Sequence, residues 1–152
     1  MEHVMDKNAQ VVLDVIQAVQ NRDAEVLDRL YHDELEFVEA SSLPYGGRVK
    51  GRKAEVMAEQ LNSDAEKTWL GTWGPLQPTE SDRRFDPQLI AVDGNKVVVR
   101  YWTRAVSPNG EKFESEVLGL YEVRDGKFAK AQMFHFDTAA LIEFLNRARQ
   151  ES

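Results

Sequence analysis

The chain has 152 residues, 42% of them hydrophobic and 30% charged, with 26 acidic against 19 basic side chains and a formal net charge of -7. This size and balance suit one domain, residues 1–152, around one core, while the acidic surplus disfavours nucleic acids and anionic membranes, whose binding draws on basic surface. Without cysteine there is no disulfide, thiolate nucleophile or thiolate metal site, and three histidines are too few for a histidine-built metal centre.

The N-terminus, Met1 to Asp6, lacks the basic and apolar segments of a secretion signal. No apolar run approaches the ~20 residues of a membrane span, so a cytoplasmic location is expected. A first helix is predicted over Asn8–Gln20, where Val11, Val12, Val15, Ile16 and Val19 form one apolar stripe. Asp23 can cap a second helix carrying Val26, Leu27 and Leu30 and ending near His32. Leu35–Ala40 reads as a strand with Leu35, Phe37 and Glu39 on one face. Ser41–Gly51 reads as a loop broken by Pro44 and Gly46-Gly47, Arg52–Leu61 as a third helix, and Asn62–Ser81 as a lid-like or irregular stretch.

The second half carries four strand-like runs, Phe85–Val92, Val97–Val106, Phe113–Val123 and Phe128–Phe136. Asp93-Gly94, Asn109-Gly110 and Asp125-Gly126 separate them. Such pairs tolerate the positive φ of tight hairpins, so an antiparallel meander is expected. Asp137 sits at the N-cap position of a last helix bearing Leu141, Ile142 and Leu145. The fold class is α+β, with three N-terminal helices and a C-terminal helix around one strongly bent antiparallel sheet.

Several segments resemble the SnoaL-like polyketide cyclases of the nuclear-transport-factor-2-like superfamily. They are Leu30-Tyr31-His32-Asp33-Glu34, Pro44-Tyr45-Gly46-Gly47 with Gly51-Arg52, Val123-Arg124-Asp125-Gly126-Lys127-Phe128, and Phe134-His135-Phe136-Asp137 running into Thr138-Ala139-Ala140-Leu141. The resemblance implies a cone of helices against the sheet, one pocket inside it, catalysis by side chains without a cofactor or metal, and homodimers paired through the outer sheet face. Such folds also host binding modules without chemistry. The resemblance is incomplete. The Tyr and Asp oxyanion donors of the similar ketosteroid isomerases fall on Val15 and Gly119, and the Arg-x-Asp of limonene-epoxide-hydrolase-like proteins is absent from Arg100-Tyr101-Trp102.

Glu39 is the leading catalytic candidate. It shares the core face of its strand with Leu35 and Phe37, and burial would raise its pKa toward a general base's range. By spacing from Leu30-Tyr31 it also matches the proton-abstracting Asp of the similar isomerases. The alternative is a solvated or salt-bridged carboxylate at the cone mouth. His135 is the second candidate, sharing a face with Ala131 and Met133; the alternative is a histidine bonded to a neighbour. The expected pocket lining is Val15, Phe37, Val99, Tyr101, Val117 and Met133, with Tyr45, Trp69, Trp73 and Tyr121 as walls or hydroxyl donors, unless these aromatics are plain core. Asp137 reads either as a pocket residue or as a helix cap. Arg100, Trp102 and Arg104, with Leu118 and Leu120 on the next strand, form an outer face suited to a homodimer or to cross-strand ion pairs. The expected partner is a small, mostly apolar molecule.

Overall fold

Asp6 opens the first helix, α1 (Lys7–Gln20), by accepting hydrogen bonds from the backbone N–H groups of Asn8 and Ala9. Its buried face is Ala9, Val12, Val15, Ile16 and Ala18; of the stripe read from the sequence, Val12, Val15 and Ile16 are buried, while Val11 and Val19 are partly buried against the same cluster. Asp23 caps α2 (Ala24–Leu30) through the Val26 N–H. The chain then enters β1 (Tyr31–Glu39) directly, so the strand starts four residues before the expected Leu35. The computed structural model describes residues 5–61 and 67–151.

The expected loop over Ser41–Gly51 contains a strand, β2 (Gly47–Arg52), paired antiparallel with β1 from Glu39↔Gly47 to Glu34↔Arg52. Gly47 supplies positive φ at the turn and Gly51 lies inside the strand, so the glycines that read as breakers are paired residues here. The third helix, α3, spans Lys53–Gln60. Of the expected irregular stretch, Asn62–Glu66 lie outside the described residues. Its remainder forms a short helix α4 (Trp69–Trp73), a 3₁₀ turn (Gly74–Leu76) and the start of α5 (Glu80–Arg83).

The four later strands are β3 (Gln88–Asp93), β4 (Lys96–Val106), β5 (Lys112–Arg124) and β6 (Lys127–His135). Phe85 precedes β3 rather than opening it. All three hairpins form at the Asp-Gly and Asn-Gly pairs, where Gly94, Gly110 and Gly126 take positive φ. The last helix, α6 (Thr138–Gln150), starts at Asp137, whose carboxylate accepts from the Ala140 N–H.

The result is a curved, unclosed six-stranded sheet in the order β2-β1-β6-β5-β4-β3. Four of its pairings are antiparallel, three of them the expected meander and the fourth the unexpected β1–β2 pair; β1 and β6 run parallel, where an antiparallel sheet was expected. Two apolar clusters fill the concave side. One joins α1 and α2 to Leu35, Val97, Val99, Tyr121 and Phe128, and the other joins α6 to Leu43, Tyr45, Trp73 and Ala105. Among the described residues no helix is long and apolar enough to cross a membrane.

Candidate active site

The parallel pairing of β1 with β6 decides which side chains meet. Glu39 is the last residue of β1 and His135 the last of β6, and Val38↔Gln132 holds the two strands in step. In parallel strands both C-terminal ends lie at the same sheet end. The two side chains therefore converge, with His135 Nε2 3.1 Å from Glu39 Oε1. Both are nearly sealed from solvent, with side-chain exposures of 4% for His135 and 8% for Glu39. Nδ1 of His135 is buried with no hydrogen-bond partner. The tautomer that orphans no donor therefore has Nε2–H donating to Glu39.

This pair borders a cavity of about 110 Å³, open on one side, where the two apolar clusters adjoin. Of the expected lining, Val15, Phe37, Tyr45, Trp69, Trp73, Tyr101, Tyr121 and Met133 reach it together with Glu39 and His135. Val99 and Val117 do not. They lie on the expected sheet face, fully buried, but Val117 is registered between Tyr101 and His135, whose longer side chains reach past it. Val99 is likewise absorbed into the helix-packed cluster. Asp137 also lies off the cavity, exposed and occupied as the α6 cap, because its backbone leaves the sheet before the helix begins.

The sequence reading missed Ile16, Val19, Tyr31, Phe85 and Phe128 as apolar lining, and Gln60, Gln77 and Thr103 as polar lining. Tyr31 stood inside an expected helix end, and the strand that places it gave no separate local signal. Gln77, inside the irregular stretch, and Thr103, on β4, are buried polar residues. Only their depth distinguishes them, and depth is not written in the sequence.

Electrostatically the site opposes two effects at Glu39. Burial raises its pKa above the ordinary carboxylate value, and the hydrogen bond and charge of His135 pull it back; burial prevails. Tyr45, Tyr101 and Tyr121 are pushed up by burial and by the nearby Glu39 charge, so all three phenols keep their protons. The Tyr45 hydroxyl accepts from the Trp73 indole N–H at 2.9 Å and retains its own proton to donate. Tyr101 and Tyr121 have no hydrogen-bond partner among the described residues. The Tyr121 ring lies over Gly119, and a side-chain carbon at Gly119 would clash with the Tyr121 hydroxyl. The Tyr121 ring fills the space that a side chain at position 119 would occupy. Among the described residues no group of three or more His, Asp or Glu is placed to hold a metal ion.

The arrangement presents one buried carboxylate backed by an imidazole, facing phenol donors in an otherwise apolar space. It can accept a proton and stabilise negative charge developing on an oxygen.

In the solved structures, TerC co-crystallised with polyporic acid is 21% identical, with 93% of this chain and 99% of that chain covered and a TM-score of 0.69. A protein of unknown function with a cystatin-like fold from Xanthomonas campestris is 17% identical, with coverages of 91% and 97% and a TM-score of 0.71. An epoxide hydrolase of the LEH-like type from M. tuberculosis is 17% identical, with coverages of 95% and 92% and a TM-score of 0.61. These likenesses establish the cone fold. Among curated proteins no relative matches. The model of the SnoaL-like domain matches residues 12–131, most of the chain, and the chain belongs to that family.

Proposed function

We propose that the chain is a cofactor-free acid–base enzyme, of cyclase, isomerase or dehydratase type, acting on a small, mostly apolar molecule held in the cone. The observation that carries this reading is the 3.1 Å contact between two buried titratable side chains at the wall of an apolar cavity. A carboxylate is costly there unless it is paired, and a buried, perturbed carboxylate with one specific partner at a cavity wall is a candidate for proton chemistry. Glu39 is the base that meets the substrate. His135 holds the carboxylate in place through Nε2 and shares its proton. The hydroxyls of Tyr101 and Tyr121 donate to the substrate oxygen on which charge builds. The cavity volume is close to the ~150 Å³ that encloses one benzene, so the substrate's reacting part is about one ring in size. The co-crystallisation of TerC with polyporic acid supports a small organic ligand for a cone of this shape.

We also propose that the protein works as a homodimer through the outer sheet face. Leu118 and Phe134 are cross-strand partners there, 43% and 51% exposed, beside half-buried Trp102 and Leu120. The flanking charges are already matched within the chain, Arg104 with Glu114 and Arg100 with Glu116, which leaves the apolar centre for a partner.

The test is proton exchange. A panel of single-ring compounds with acidic C–H bonds next to a carbonyl is incubated with the protein in D₂O and followed by NMR. Wild-type protein should speed deuterium uptake by at least one member, and Glu39→Gln should lower that rate by about 10²–10⁴. Equal rates in wild type and variant would overturn the assignment. A compound that binds in the cavity without exchange would favour a binding module.

A further inference from the structure

We infer that Arg22 and Arg83 form a second binding site, outside the apolar cavity, for a small tetrahedral dianion of the phosphate class. Both arginines face an open cleft with Leu70, Gly74 and Pro75. They come from distant parts of the chain, Arg22 from the turn after α1 and Arg83 from the end of α5. Among the described residues neither forms an ion pair with a carboxylate, although the chain has 26 acidic residues. Among the described residues their hydrogen-bond partners are uncharged. Arg22 donates to the Val19 carbonyl and the Gln77 side-chain oxygen, and Arg83 to the Gln77 and Pro78 carbonyls. A guanidinium has five N–H donors, so each keeps three unused.

With no acid paired to either among the described residues, two like charges placed together repel each other. Burial and the nearby Arg83 charge bring Arg22 down to about 10, so it stays cationic at neutral pH. The backbone adds a second cost. Asp23 N–H bonds to Ala18 O and Arg22 N–H to Val19 O, the Schellman pattern that closes α1. Its left-handed position is usually glycine, yet Arg22 occupies it at φ 56°. A strained position holding a half-buried cation beside another cation is the kind of local conflict that marks a site. The donors fit the ligand class. Two positive charges match the roughly -1.5 to -2 of a phosphate monoester at pH 7, with its three strong acceptor oxygens.

The site has a built-in reporter, because the Arg22 guanidinium lies 4.8 Å over the ring of Trp69, which lines the main cavity. Inorganic phosphate is titrated into the full chain at constant ionic strength against chloride and followed by heteronuclear NMR. The expected result is saturable shifts of the Trp69 indole N–H and the Gly74 amide, reproduced by sulfate and much weaker with acetate. Arg83→Gln should weaken binding at least about tenfold, the scale of hydrogen bonds to charged groups. Arg22→Gly suits the left-handed backbone, so it should keep the fold while removing binding. Three results would overturn the inference: no saturable shift in wild type at tens of millimolar phosphate, equal binding of acetate, or phosphate binding that survives in folded Arg22→Gly.

Discussion

With 8% of its side chain exposed and one imidazole as its hydrogen-bond partner, Glu39 gives up most of the hydration that an ionised carboxylate holds in water. In the unfolded chain a glutamate titrates near about 4.3, and in the folded protein Glu39 titrates higher. Between those values the folded state binds more protons than the unfolded state. The contribution of Glu39 to stability therefore falls as pH rises through that window and stays at its lower level above it. Urea unfolding across a pH series should show wild type losing stability relative to Glu39→Gln as pH climbs from about 4. The opposite slope would mean that the His135 charge outweighs burial. Glu39 and His135 were legible in the sequence because a charged or titratable residue on an apolar strand face breaks a pattern. Tyr101 and Tyr121 could be read only as walls, since a phenol in the core and a phenol with a free hydroxyl look the same as letters. The role of Gly119 was less visible still, because it depends on where the Tyr121 ring falls.

At the level of elements, α6 rests on two separable supports. Asp137 accepts from the Ala140 N–H, and Leu141, Phe144, Leu145 and Ala148 are buried. Asp137→Ala should cost about 1 kcal/mol, the usual loss of an N-cap, in thermal or urea unfolding, and should leave proton exchange in the cavity unchanged. Lost exchange at unchanged stability would return Asp137 to the pocket. The hairpins were legible because the Asp-Gly and Asn-Gly pairs are local signals, and each falls at a turn. β2 was not, because its short Gly-Arg-Val-Lys-Gly-Arg run pairs only by virtue of β1 beside it. Nor was the parallel partnership of β1 and β6, about 95 residues apart, for which neither strand carries a local mark. That long-range pairing is what joins the two best sequence candidates into one site.

For the whole molecule, the curved sheet separates two apolar features by face. The concave side holds the cavity between its two apolar clusters, and the convex side displays Trp102, Leu118, Leu120 and Phe134 among matched charges. If the convex face pairs two chains, Trp102→Glu should shift sedimentation from dimer to monomer while the cavity residues stay in place. A wild-type monomer at high concentration, or a dimer unaffected by the variant, would remove that proposal. The cavity account rests on Glu39 being a desolvated base held against His135, and it can be tested without knowing the substrate. The measurement is the pH titration of the Glu39 side-chain carboxyl carbon by ¹³C NMR in the intact protein. The account predicts a midpoint clearly above about 4.3, the ordinary glutamate value, with the His135 ring resonances moving in the same step. A midpoint at or below that value, with the His135 resonances unmoved, would contradict it.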